Sequence, residues 1–172
     1  ALADYIAMIA RAQINPNVIS GLSTIFAVLG GALFLWGGTS EGALRAAAFA
    51  LAAVCIQLRL ACNLLDGMVA VEHGQGSSSG PIYNELPDRF SDVLFLACAG
   101  YAAERSGIEG GAVVGWIAAS AAVTTAYVRE LGRGMGFPAD FSGPMAKPQR
   151  MAALTLAAMT LLLLSFWLLA AV

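Results

Sequence analysis

Charge is scarce in this sequence. Aspartate, glutamate, lysine and arginine together make up 12% of its 172 residues, about half the share of an ordinary soluble domain. That scarcity argues against a molecule whose whole surface is solvated by water. Histidine occurs once, as His73, in a loop-like stretch with no partner in view, and is read as a bystander. The three cysteines, Cys55, Cys62 and Cys98, lie in apolar runs with no CxxC or Cys/His spacing. A zinc site is therefore not expected, and the thiols read as small buried hydrophobes. The first residues, ALADYIAMIARAQ, lack the basic start and small-residue cleavage site of a signal peptide.

What the chain has in abundance is hydrocarbon. Hydrophobic residues make up 59% of it, gathered in blocks about as long as a bilayer is thick. The expected fold is all-α, a polytopic transmembrane helical bundle forming a single membrane domain over 1–172. Residues 2–13 are too short to span and are expected to lie along the interface, bearing Asp4 and Arg11. Asn15-Pro16-Asn17 then restarts a helix, because proline suits a first turn and asparagine can cap it. Five spans follow, at about 18–36, 43–65, 87–103, 110–128 and 151–171, the second continuing as helix to Val71. The third is expected to begin near Pro87, putting Asp88 and Asp92 in its first two turns at the positive end of the helix dipole. Glu72 to Pro81, with GQGSSSG, reads as a flexible linker. Trp36 and Trp116 fall near the expected interfaces, where aromatic belts are ordinary.

Topology follows from counting. With five spans, the amino terminus shares a side with the loops after spans two and four. Arg11, Arg59, Arg89, Arg129, Arg133, Lys147 and Arg150 lie on or near that side, seven of the nine basic residues, against Arg45 and Arg105 opposite. Basic residues favour the cytoplasm, so the chain is expected in the inner (cytoplasmic) membrane with that side inward.

The sharpest chemistry lies between Asn63 and Asp92. Asn63 and Asp66 are three apart, Asp88 and Asp92 four apart, so on helices each pair puts two oxygen-bearing groups on one face. Carboxylates beside hydrocarbon demand a partner: an ion, a substrate or a water-filled cavity. An oxygen-only set favours Mg²⁺ or Mn²⁺, or Ca²⁺, over zinc. Such ions near arginine and lysine equip a site for phosphoryl-group chemistry, with a carboxylate to take the proton from an attacking hydroxyl. Acidic residues also line cation paths, so a cation transporter is the other reading; it would place its ion site near the midplane, whereas these carboxylates sit at span ends. Arg89, between the two aspartates, is expected to pair with one of them, a diphosphate being the other reading.

The run Asn63-x-x-Asp66-Gly67-x-x-Ala70, followed by Asn84-x-x-x-Asp88-x-x-x-Asp92, resembles the signature of the CDP-alcohol phosphotransferases, Asp-x-x-Asp-Gly-x-x-Ala-Arg and then Gly-x-x-x-Asp-x-x-x-Asp. Asn63 stands where that pattern has its first aspartate, Val71 where it has arginine, and Asn84 where it has its second glycine. The resemblance implies transfer of a phosphatidyl group from CDP-diacylglycerol to a hydroxyl acceptor, releasing CMP, in phospholipid biosynthesis. It implies Asp66, Asp88 and Asp92 as ligands of Mg²⁺ or Mn²⁺, with Asn63 giving a neutral oxygen, and Asp92 as general base. Asp66, Gly67 and Ala70 would receive the nucleotide. Arg129, Arg133, Lys147 and Arg150 fall where an acceptor phosphate or lipid head group would bind, though basic residues there also serve topology.

Asn63 removes one negative charge from the cage, so a second metal binds more weakly or another group helps; Glu85 and Glu72 are nearby, although each is read first as a solvated loop charge. A catalytically lapsed nucleotide- or lipid-binding relative therefore stays open beside the enzyme. The resemblance also implies a homodimer, and Gly111 and Gly115, with GxxxG spacing, are assigned to a subunit contact on that ground, although spacing alone equally allows a contact within the chain. No nucleic-acid partner is expected. The family usually has six spans, and the abrupt apolar end is read as trimming.

Overall fold

A computed structural model of the chain describes residues 16–73, 80–138 and 147–170, with side chains over 18–65, 85–138 and 148–163. The expected interfacial helix at 2–13 lies outside these residues. Five helices occur: α1 (Pro16–Thr39), α2 (Gly42–His73), α3 (Gly80–Arg105), α4 (Gly111–Gly134) and α5 (Lys147–Ala170), with no strand among the described residues. The fold is thus the expected all-α membrane bundle. By length and composition, Val18–Thr39, Gly42–Leu65 and Gly111–Gly134 suffice to cross a bilayer.

Three helix ends differ from expectation. α3 begins at Gly80, so Pro81 is the proline in a first turn and Pro87 lies inside the helix. Asp88 and Asp92 consequently sit beyond its first two turns, out of reach of a dipole effect confined to the terminal turn. α4 continues past Val128 to Gly134, carrying Arg129 and Arg133 on helix rather than in a loop. α5 starts at Lys147, which places Arg150 in its first turn. In each case the helix outlasts the apolar run that announces it, because backbone hydrogen bonds continue into the polar margin where charged side chains can pair.

α1 packs against both α2 and α3, α5 against α2 and lightly against α3, and α4 against α3. Among the described residues α2 and α3 make no close backbone contact; they face each other diagonally across the four-helix group that α1 and α5 complete. The core between them contains Phe34, Phe49, Ile56, Phe95, Met151 and Leu154 together with small residues such as Ala27, Ala52 and Ala158. Between helices in lipid the hydrophobic effect offers little, and close packing of small residues carries the association. The outer faces carry large exposed apolar side chains, among them Ile25, Leu29, Val54, Val113, Ile117 and Leu156, as a lipid-facing surface requires.

The closest approach joins α3 to α4. A Cβ on Gly100 would lie 2.7 Å from the Gly115 Cα and 2.7 Å from the Gly111 carbonyl oxygen. The GxxxG pair is therefore covered within the chain, which corrects its assignment to a subunit contact. Gly110, at φ 75°, turns the backbone into α4, and the Glu104 carboxylate accepts the Ala112 N–H at 2.8 Å, satisfying an otherwise orphaned donor of the first turn.

Candidate active site

The centre of the four-helix group is ionic. On α2, Arg59, Asn63 and Asp66 are spaced four and three apart and share one face. On α3, Asp88 and Asp92 are one turn apart. The Arg59 side chain crosses the diagonal gap: its Nη2 donates to Asp92 Oδ1 at 3.0 Å, to the Asp88 carbonyl oxygen at 3.2 Å and to Asp88 Oδ1 at 3.4 Å. Its Nη1 donates to Met151 Sδ at 3.3 Å. From α5, Arg150 Nη2 donates to Asp92 Oδ2 at 2.7 Å. Both oxygens of Asp92 are thus held by guanidinium groups, one from each neighbouring side.

These charges are closed off from solvent. Arg59 is 0% exposed, Asp92 1%, and Asp88 and Arg150 7% each. Buried charges persist only when paired and hydrogen-bonded, and the two arginines and two aspartates supply each other. Asn63 is fixed from α1, where the Ser23 hydroxyl donates to its Oδ1 at 3.0 Å. The Asn63 Nδ2 is buried without a partner among the described residues.

Asn63, Asp88 and Asp92 therefore occupy the bundle interior, on facing helices. Asp66, Gly67 and Ala70 lie along the last turns of α2; their side chains, with those of Glu72, His73, Asn84 and Lys147, are outside the described residues. Of the four basic residues expected to act together, Lys147 has its side chain outside the described residues, Arg129 and Arg133 share Glu130, and Arg150 bonds elsewhere. Arg150 joins Asp92, whereas Arg129 pairs with Glu85 at 3.3 Å and Arg133 with Glu130 at 3.0 Å. Arg89 pairs with Glu85, one turn back on α3, and not with either flanking aspartate as expected, because Glu85 stands four residues away on its own helix face. Glu85 is thereby bonded to two arginines, on helix and not as a solvated loop charge. Arg59 is the residue that sequence reasoning passed over. Its signal was present: a cation inside the apolar run LRLACNLL, one turn before Asn63 and on its face, needs a buried anion.

A family model described as CDP-alcohol phosphatidyltransferase matches residues 13–172. The chain belongs to the CDP-alcohol phosphatidyltransferase family. No curated protein matches it. Membership makes the chain a transferase of phosphate-containing groups, using a CDP-alcohol and a hydroxyl acceptor in phospholipid biosynthesis. The family is generally dependent on a divalent metal.

Among the described residues, no three His, Cys, Asp or Glu side chains form a metal-holding group. The donors nevertheless fit a hard cation in kind. Asp88 and Asp92 are carboxylates one turn apart in a nearly closed interior, Asp66 follows Asn63 on the opposing helix, and all offer the oxygen that Mg²⁺ and Mn²⁺ prefer.

Proposed function

We propose that the chain catalyses metal-dependent transfer of a phosphatidyl group from CDP-diacylglycerol to an alcohol, at a site facing the cytoplasm of the inner membrane. The observation that carries this reading is the convergence of Asp88 and Asp92 with two arginines inside the bundle, at the end of the helices where α2 carries the family motif. The acceptor oxygen bonds to the phosphorus next to diacylglycerol, the bond from that phosphorus to the bridging diphosphate oxygen breaks, and CMP leaves with the bridging oxygen. The acceptor proton passes to an Asp92 oxygen. Each oxygen, although bonded to a guanidinium, keeps a second lone pair for that purpose.

Arg59 and Arg150 fix the Asp92 carboxylate from both sides, so its orientation is set before substrate arrives. The divalent ion, when bound, neutralises phosphate oxygens and favours departure of CMP. Asp66 and Asp88 are its proposed ligands, with Asn63 as a neutral oxygen held by Ser23. Asp66, Gly67 and Ala70 receive the nucleotide. Lys147 and Arg150, at the start of α5, with Arg129 and Arg133 at the end of α4, are proposed to face the acceptor or lipid head groups. Membrane placement through all five helices, and a homodimer, are carried over with the family reading; the GxxxG pair no longer argues for the dimer.

A catalytically lapsed relative is the second reading, favoured by Asn63 and by the engagement of both Asp92 oxygens. The deciding assay is CMP release from CDP-diacylglycerol by purified protein with Mg²⁺ or Mn²⁺ and a panel of acceptor alcohols. Metal-dependent release with one acceptor is expected, and Asp92→Asn should reduce it by at least 100-fold, in line with the loss of a general base, while leaving the protein folded. Retained turnover in that variant sinks the assignment of Asp92. Nucleotide binding without turnover for any acceptor establishes the lapsed relative instead.

A further inference from the structure

Arg59 does not belong to the motif that identifies the family, yet it is the most deeply placed group of the site. We infer that Arg59 is a built-in cation of the centre, standing in for a second divalent ion, so that each chain binds one ion. The inference rests on the transferase reading above and concerns how that site balances its charge.

Arg59 is 0% exposed, and a guanidinium does not lose its proton in a protein. It is therefore a permanent positive charge, aimed between the two α3 carboxylates: Nη2 lies 3.0 Å from Asp92 Oδ1 and 3.4 Å from Asp88 Oδ1. A group bonded to two carboxylates from different turns of one helix supplies there the positive charge that a second cation would otherwise have to supply.

Charge leads to the same place. Asp66, Asp88 and Asp92 give three negative charges, against which Arg59 and Arg150 set two positive ones. One divalent ion leaves that set with a net charge of plus one; two would leave it at plus three in a low-dielectric interior. Compared with an aspartate at 63 and a neutral residue at 59, the Arg59 and Asn63 pair adds two positive charges, the charge of one divalent ion. Asn63 fits this account locally. It is one turn from Arg59 on the same face, its Oδ1 is engaged by Ser23, and its Nδ2 is a buried donor without a partner among the described residues. A metal cannot bind through that amide nitrogen, which carries its own protons.

The test counts Mn²⁺ ions bound per chain, by the electron paramagnetic resonance of free Mn²⁺ during titration of the purified full chain in detergent, without substrate. The wild type is expected to saturate at one ion. Asn63→Asp alone should remain at one, since Arg59 still occupies its place, and Arg59→Met combined with Asn63→Asp should double the count to two. Two ions in the wild type, or none, overturn the inference without any variant being needed. A folded double variant that stays at one ion overturns it as well. CMP release is measured separately: one ion with no release with any acceptor defeats the transferase reading and leaves the single-cation centre standing, while release with two ions does the reverse.

Discussion

At the scale of single residues, the energetics of this protein concentrate on Arg59. Taking a guanidinium and two carboxylates out of solvent is costly, and their mutual attraction compensates only while each keeps its partner. Arg59→Met is expected to destabilise the protein by about 3–5 kcal/mol, the usual result of leaving buried charge unpaired, read as a lowered thermal midpoint in detergent. Adding Asp92→Asn to Arg59→Met should recover part of that loss, with a coupling of about 1–3 kcal/mol for residues in one ionic network. Strict additivity of the two substitutions would show that the contact at 3.0 Å contributes nothing. Asn63, Asp88 and Asp92 were legible from spacing, because the helical repeat alone decides which groups share a face. Arg59 was legible by the same rule, but its charge also satisfied the count of basic residues per side. A charge that topology already accounts for carries no further sign in the sequence that its partner is a buried carboxylate.

At the scale of helices, apolar runs located every described element and misplaced three of the ends. Proline was the ambiguous sign. Next to the apolar run Pro87 reads as a first-turn residue and Pro81 as the end of the linker, and a proline inside a helix removes one hydrogen bond at a cost of about 3 kcal/mol. The structure extends α3 back to Gly80, where Glu85 and Arg89 stand one turn apart and Arg129 of α4 reaches Glu85. The first of these pairs is local, but the second joins segments 44 residues apart, beyond what local pattern carries. The same holds for Gly111 and Gly115: GxxxG announces a close contact without naming the second surface, which proves to be Leu96 and Gly100 of α3. A Cβ on Gly115 would lie 2.7 Å from the Leu96 carbonyl oxygen, backbone that cannot step aside. Gly115→Leu should therefore cost roughly 3 kcal/mol or more, at or beyond the upper end of ordinary overpacking, whereas Gly132→Ala, with open space around it, should leave the thermal midpoint unchanged or slightly raised. The mass of the detergent-solubilised particle separates the two placements of the glycine pair. An in-chain contact lowers stability at constant oligomeric state, and dissociation by Gly115→Leu before unfolding would return the glycines to a subunit interface.

At the scale of the whole molecule, the ionic centre changes how orientation should be counted. The positive-inside rule concerns basic residues that would have to be carried through the bilayer. Arg59 and Arg150 are buried against Asp88 and Asp92, so they enter the membrane domain as neutralised pairs and weigh little. Removing them leaves Arg11, Arg89, Arg129, Arg133 and Lys147 against Arg45 and Arg105, and the bias survives. The structure also groups the ends consistently. Ser23 of α1 meets Asn63 near the end of α2, and Glu85 near the start of α3 meets Arg129 near the end of α4. At the other end of the bundle, Arg105 Nη1 donates to the Leu35 carbonyl oxygen at 3.4 Å. An orientation set by five basic residues predicts that, with the three native cysteines replaced, a cysteine at Met135 reacts with a membrane-impermeant maleimide only after the cells are opened. A cysteine at Ser106 should react in intact cells. The reverse pattern would put the site on the outer face, where a nucleotide-activated substrate is not supplied, and the proposed chemistry would have to be abandoned along with the orientation.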